Sequence, residues 1–133
     1  MTESIKNVVV VGAGGMGALF GSILAEGGLD VTLVDNDREH VDAIRKSGLH
    51  ISGLGGERHQ QIRVEYDAGA VATADIVLFQ CKGTVTFDAA NAIAHLAGTG
   101  AIFVSFQNGL GNEDLLAAHF GIESVFGGLT SMA

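Results

Sequence analysis

The run from Val8 to Gly17, Val-Val-Val-Val-Gly-Ala-Gly-Gly-Met-Gly, limits what this chain can fold into more than any other stretch. Four β-branched residues in a row favour a strand buried on both faces, and the glycines behind them impose an abrupt turn. The residues that follow have helical spacing. Met16, Leu19, Phe20, Ile23 and Leu24 form one apolar stripe, predicted to lie on a sheet, before Gly27-Gly28 stops the helix. A second β-branched strand, Val31 to Val34, then delivers Asp35 about 20 residues beyond the glycines. In a chain with 20 glycines a lone G-x-G-x-x-G means little. The strand before it, the helix and second strand after it and the acid at its end make it a dinucleotide-binding βαβ unit.

Each position in the loop then has a mechanical task. Gly12 permits the tight turn, Gly14 lets backbone approach a pyrophosphate, and Gly17 lets helix pack closely on strand. Ala13, Gly15 and Met16 complete the loop and open the helix. Its unpaired N–H groups and the positive end of its peptide dipoles hold phosphate without a basic side chain. Asp35 is placed to bond ribose hydroxyls, with Asn36 and Arg38 beside it.

The 133 residues suit one domain spanning 1–133, and 47% hydrophobic content argues against disorder. A formal charge of −8 with no basic cluster argues against nucleic acid or an anionic membrane as partner. No apolar run approaches the ~20 residues of a spanning helix, and the N-terminus lacks a secretory layout, so a cytoplasmic protein is expected. Cys81 is the sole cysteine, so there is no internal disulfide. His40, His50, His59, His95 and His119 lack metal-ligand spacing, and no metal is expected.

Further along, Asn36 or Asp37 can cap a helix to about Ser47, with Val41 and Ile44 inward and Gly48 ending it. Leu49 to Ser52 and Gln61 to Glu65 alternate around Gly53-Leu54-Gly55-Gly56 and suggest a hairpin or edge excursion. Ile76 to Gln80 is an apolar strand that ends in Cys81-Lys82-Gly83. A helix over 84–96 buries Ala89, Ala90, Ile93 and Leu96. Ala101 to Phe106 is another buried strand, ending in Gln107-Asn108-Gly109-Leu110-Gly111, before a helix over 112–120 and a short strand over 124–127. Alternating strands and helices with short connections predict an α/β fold with a doubly wound, mostly parallel sheet and right-handed crossovers. The glycine loop, Lys82 and Asn108 then converge at the carboxyl ends of three strands, where open α/β sheets bind ligands.

Several separated motifs, in this order and spacing, resemble the cofactor-binding domain of the ketopantoate reductase (2-dehydropantoate 2-reductase) family. Gly12-Ala13-Gly14-Gly15-Met16-Gly17-Ala18-Leu19-Phe20-Gly21 is similar to its cofactor loop, Gln80-Cys81-Lys82-Gly83-Thr84 to its lysine segment, and Gln107-Asn108-Gly109-Leu110-Gly111-Asn112-Glu113 to its asparagine segment. Gly127-Gly128-Leu129-Thr130 is similar to the segment that opens its next stretch. The resemblance implies a Rossmann-type domain of an oxidoreductase of pantothenate synthesis, reducing 2-dehydropantoate with hydride from NAD(P)H, NADPH being the family norm. It places Lys82 by the nicotinamide ribose and substrate, and has Asn108 align the substrate with the nicotinamide. A cation and an amide at this edge suit a keto acid, whose carboxylate and carbonyl oxygen need donors. The plainer alternatives are a solvated lysine and an Asn-Gly turn. Cys81 counts among the cofactor-side residues through its place beside Lys82, and reads as packing rather than as a nucleophile.

Two departures matter. Family members that take NADPH commonly carry a basic residue after the second strand, whereas this chain reads Asp35-Asn36-Asp37-Arg38. At about 4 Å a carboxylate and a 2′-phosphate charge repel by roughly 1 kcal/mol in water and roughly 4 kcal/mol at an effective dielectric near 20. NADH is therefore favoured, with Arg38 as the residue that could rescue phosphate binding. The second departure is the family's helical C-terminal domain, which carries the proton-donating lysine and an acidic substrate-binding residue. It is absent from these 133 residues. The expectation is a truncated chain that binds dinucleotide with little turnover and self-associates through apolar surface near Leu129 and Met132. Two alternatives stay open: the corresponding domain of a related 2-keto or 3-hydroxy acid dehydrogenase, and a nucleotide-sensing Rossmann module without chemistry. Lys82 and Asn108 weigh against the sensor, which has no use for substrate donors.

Overall fold

The computed structural model describes residues 5–52, 57–81, 86–105 and 112–127. The valine run becomes β1 (Asn7–Val11), and β2 (Asp30–Val34), β5 (Arg63–Glu65), β6 (Ile76–Phe79), β7 (Ile102–Ser105) and β8 (Val125–Gly127) join it in one sheet. The strand order is β5-β2-β1-β6-β7-β8, and every pairing is parallel. Alternation explains why four valines suit the centre of this sheet. Val8 and Val10 point to one core with Leu33, Val41, Ile44 and Val64, while Val9 and Val11 point to the other with Phe79, Ile93, Phe103 and Leu116. Each such side chain contributes about 1.5–3 kcal/mol by leaving water. A polar residue at either register would lose that contribution and need a partner.

Two helices cover the first face: α1 (Gly15–Glu26) and α2 (Arg38–Ser47). The second carries α3 (Thr86–Ala92) and α4 (Asn112–Phe120). The ends of α2 are as its sequence predicts. Asp37 accepts the N–H of His40 at 3.3 Å as its cap, and Gly48 terminates it at φ 80°. Glu39 in the first turn and Arg45 and Lys46 in the last complement the helix dipole.

Three expectations change. The side of α1 that meets the sheet is made of small residues, Gly17, Ala18, Gly21 and Ser22, while Ile23 is 45% exposed and Met16, Leu19 and Phe20 are half-buried. Close approach selects for small side chains: a Cβ on Gly17 would lie 1.8 Å from the Gly12 oxygen. Leu24 does pack against the first core. The hairpin pairs β3 (Leu49–Ile51) with β4 (Arg58–Gln60), not with the segment at 61–65. That segment instead supplies β5, which pairs with β2 because Val64 then enters the core. The helix expected over 84–96 is α3 followed by a separate 3₁₀ turn at Ala94–Leu96, which still buries Ala90, Ile93 and Leu96.

One carboxylate ties the amino ends of β1 and β6 together. Asp75 accepts the N–H groups of Lys6 and Asn7, both at 2.9 Å, and these bonds hold its carboxyl below the usual carboxylate range. A cavity of about 330 Å³ also lies at the amino ends, lined by Asn7, Asp30, Thr32, Arg63 and Thr73 among others. It is at the opposite edge of the sheet from the glycine loop and shares no residue with it. Among the described residues no helix is long and apolar enough to cross a membrane.

Candidate dinucleotide-binding site

From β1 the sheet extends one way to β2 and β5 and the other way to β6, β7 and β8, so the topological switch lies between β1 and β6. Their carboxyl ends are the expected ligand crevice. Gly12 closes this junction. Its N–H donates to Val34 O at 2.8 Å, and the neighbouring Gln80 N–H donates to Val11 O at 2.8 Å, joining the ends of β1, β2 and β6. Gly12 sits at φ +102°, and a Cβ there would meet Cys81 N at 2.6 Å. Both conformation and space require glycine.

Gly14 and Gly15 differ. Among the described residues a Cβ on either would meet nothing within 4 Å beyond its own chain neighbours and helix backbone, and Gly14, the N-cap of α1, has an ordinary φ of −72°. Among the described residues no packing contact demands glycine at these two exposed positions. Their open backbone leaves room for a ligand to approach. The N-cap offers no side-chain bond and the first turn of α1 contains no acid, so its N–H groups are left for an anion. The residues present therefore fit a pyrophosphate held by backbone alone.

Asp35 stands at the end of β2, where the sequence places it, and it also braces the loop. Its Oδ2 accepts the Ala13 N–H at 2.8 Å and its Oδ1 accepts the Asp37 N–H at 2.9 Å. His40 completes the brace, with Nε2 at 2.7 Å from Ala13 O. The carbonyl can only accept, so Nε2 carries the hydrogen. Sequence reasoning considered His40 only as a metal ligand, and no spacing rule relates it to Ala13. Among the described residues no group of three or more His, Cys, Asp or Glu is placed to hold a metal.

Asn36 is exposed next to the loop. Arg38 turns toward Tyr66, its guanidinium 4.7 Å from the ring centroid, and Arg45 lies 4.5 Å from the same ring. Tyr66 in turn bonds the Asp42 carboxylate, which raises the phenol above its ordinary range. Cys81 is half-buried beside Gly12, and burial pushes its thiol up, against an opposing bond from Thr86. A raised thiol pKa leaves less of the reactive thiolate at neutral pH. Gln80, read from sequence as a strand end and the first residue of the lysine segment but given no role, has a buried Nε2 with no hydrogen-bond partner among the described residues, and its Cβ lies 3.3 Å from where a Gly17 Cβ would stand. Lys82 and Asn108 lie outside the described residues, as do Gly83, Thr84, Gln107, Gly109 to Gly111 and Gly128 to Met132.

Comparison with known proteins agrees with this geometry. The profile of the family described as ketopantoate reductase PanE/ApbA matches residues 8–133. A 2-dehydropantoate 2-reductase of Halobacterium salinarum is 38% identical over 125 residues, covering 93% of this chain and 41% of the relative. One from Pyrococcus abyssi is 34% identical over 125 residues, covering 93% and 39%. Among solved structures, a 2-dehydropantoate 2-reductase from Geobacter metallireducens GS-15 superposes with TM-score 0.87 at 29% identity, over 96% of this chain and 42% of that one. A D-mandelate dehydrogenase, solved with NADH and anilino(oxo)acetate, gives 0.89 at 25% identity over 96% and 41%. The chain thus spans about two-fifths of the length of the curated relatives it matches. With an all-parallel sheet, a glycine loop at its switch point and a profile match over nearly the whole chain, this chain belongs to the ketopantoate reductase PanE/ApbA family.

Proposed function

We propose that residues 1–133 form the cofactor-binding domain of a 2-dehydropantoate 2-reductase that takes NADH in preference to NADPH. The observation that carries the binding role is the pair Gly14 and Gly15, glycines with no packing contact to explain them among the described residues, at the uncapped start of α1. When bound, the nicotinamide supplies the hydride that reduces the 2-keto group. The chain's own part is to bind and orient. Backbone N–H groups at the start of α1 hold the pyrophosphate, Asp35 meets the adenosine ribose, and Lys82 and Asn108 orient the keto acid by donating to its oxygens. The proton for the developing alkoxide is assigned to the part of the family's longer chains that this chain does not span.

The NADH preference rests on two contacts. Asp35 is tied by two backbone N–H groups, so its carboxylate cannot swing away from a 2′-phosphate. Arg38, the residue able to neutralise that phosphate, is engaged with the ring of Tyr66. Cytoplasmic location and self-association of the isolated chain belong to the same reading. Ile122 and Phe126, exposed at the β8 edge, supply apolar surface for self-association.

A second reading, a reductase of another 2-keto acid, is favoured by the likeness to D-mandelate dehydrogenase. The test joins this chain to the C-terminal part of the Halobacterium salinarum relative and follows NADH consumption with 2-dehydropantoate and with the keto acid of mandelate. Consumption with 2-dehydropantoate that falls at least about tenfold in Lys82→Ala and Asn108→Ala supports the proposal. Consumption only with the other keto acid selects the second reading, and activity indifferent to both substitutions refutes their assigned roles.

A further inference from the structure

We propose that His40 is a positioning residue that sets the peptide plane between Ala13 and Gly14, so that the Gly14 N–H is aimed at the dinucleotide. The proposal rests on the dinucleotide reading and adds to it a side chain that touches no ligand. The peptide unit is planar and trans, so its C=O and the next N–H point in opposite directions. The Ala13 carbonyl points to His40 Nε2 at 2.7 Å. The Gly14 N–H therefore points away from α2, on the side of the uncapped α1 start.

An external anchor is needed because the loop does not fix this plane by itself. Gly14 lacks the Cβ that restricts φ and ψ, and among the described residues nothing beyond its chain neighbours lies within 4 Å of where one would stand, so its own torsions restrain the plane little. The plane before it is held separately: Asp35 takes the Ala13 N–H at 2.8 Å, which turns the Gly12 carbonyl the other way, toward Gly17. Ala13 is 1% exposed and gripped on both its donor and its acceptor. His40 is a firm anchor, because its own N–H is bonded to the Asp37 cap at 3.3 Å and the next residue, Val41, is fully buried. Two residues from one short segment, Asp35 and His40, thus orient successive peptide planes of the glycine loop from outside it.

The test compares wild type, His40→Leu and His40→Gln by titration with NADH, with thermal melting and the Gly14 amide resonance as parallel readouts. Leucine removes the donor and keeps bulk, while glutamine supplies an N–H of similar reach. The expected result is an NADH dissociation constant about tenfold weaker in His40→Leu, restored to within about threefold by His40→Gln. The Gly14 amide shifts on NADH addition in wild type and His40→Gln but not in His40→Leu, while the leucine variant still melts cooperatively. Binding by His40→Leu within about threefold of wild type overturns the proposal, and so does an equal loss in both variants, which assigns the side chain to packing. No saturable NADH binding by wild type sinks the dinucleotide reading and this proposal with it. Wild-type binding that survives His40→Leu sinks the proposal alone.

Discussion

Two glycines three residues apart give the sharpest contrast. In Gly17→Ala the new Cβ meets the backbone oxygen of Gly12 at 1.8 Å, whereas real contacts stay beyond 3.0 Å, so the start of α1 must retreat by about 1.2 Å. No flexible side chain can absorb the shift. Overpacking of this kind costs about 1–3 kcal/mol. With an unfolding entropy of about 2.1 cal/mol/K per residue, 133 residues lose about 4–11 °C of Tm. In Gly14→Ala the Cβ meets nothing among the described residues, and the φ of −72° suits alanine. The gain of about 0.4–1 kcal/mol from a stiffer unfolded chain roughly offsets the poorer N-cap, leaving Tm within about 3 °C of wild type. Under the proposed function, however, the methyl group stands where the pyrophosphate approaches. Losing one charge-assisted hydrogen bond, about 1.5–3 kcal/mol, weakens NADH by about 10- to 150-fold. Thermal melts by circular dichroism give the first quantity and titration of NADH fluorescence the second, undisturbed by tryptophan because the chain has none. Gly14→Ala that melts as low as Gly17→Ala, or that binds NADH as wild type does, refutes the division between a packing glycine and a ligand glycine.

Three further outcomes follow from other contacts. Asp35→Asn keeps an acceptor for the loop but removes the charge facing a 2′-phosphate, so the NADH to NADPH affinity ratio moves toward one; an unchanged ratio clears Asp35 of discrimination. The Asp75 carboxyl is held low by the Asn7 and Lys6 N–H groups, so its stabilisation is complete above the ordinary carboxylate pKa and is lost as pH falls through its lower folded value. Melts of wild type and Asp75→Ala should therefore be separated at neutral pH and converge in acid, and a gap that widens in acid contradicts the staple. Because burial raises the Cys81 thiol, iodoacetamide should modify it slowly at neutral pH and faster in alkali. Rapid neutral alkylation of the folded chain would mark it as reactive.

What could be read from the residues was what they determine locally. The β1 valines alternate between two cores, and Asp37 and Gly48 bound α2 through their own side chain and φ. The α1 stripe misled because proximity decided which side met the sheet: Gly17 and Gly21 let backbone approach, while Ile23 stayed outside. The second hairpin arm could not be read because Arg58-His59-Gln60 has no apolar residue to mark a strand, whereas 61–65 alternates, and only the core position of Val64 allots that segment to the main sheet. The tight turn at Gly12 and the close packing at Gly17 could be read from the glycine spacing, but the braces of the loop could not. The bond from His40 to Ala13 spans 27 residues and ends on a backbone carbonyl, which carries no signal of residue type. The Arg38 contact with Tyr66 likewise depends on β5 lying beside β2, which no local pattern reveals.

The central claim is that this chain grips a nicotinamide dinucleotide through the backbone of its glycine loop, with Asp35 selecting against a 2′-phosphate. Titration of the isolated chain with NADH and with NADPH at one ionic strength tests it most directly. Saturable binding of NADH, at least about fivefold tighter than NADPH, is the predicted result. Saturable binding of neither contradicts the account at its root, and NADPH bound more tightly than NADH contradicts the role given to Asp35.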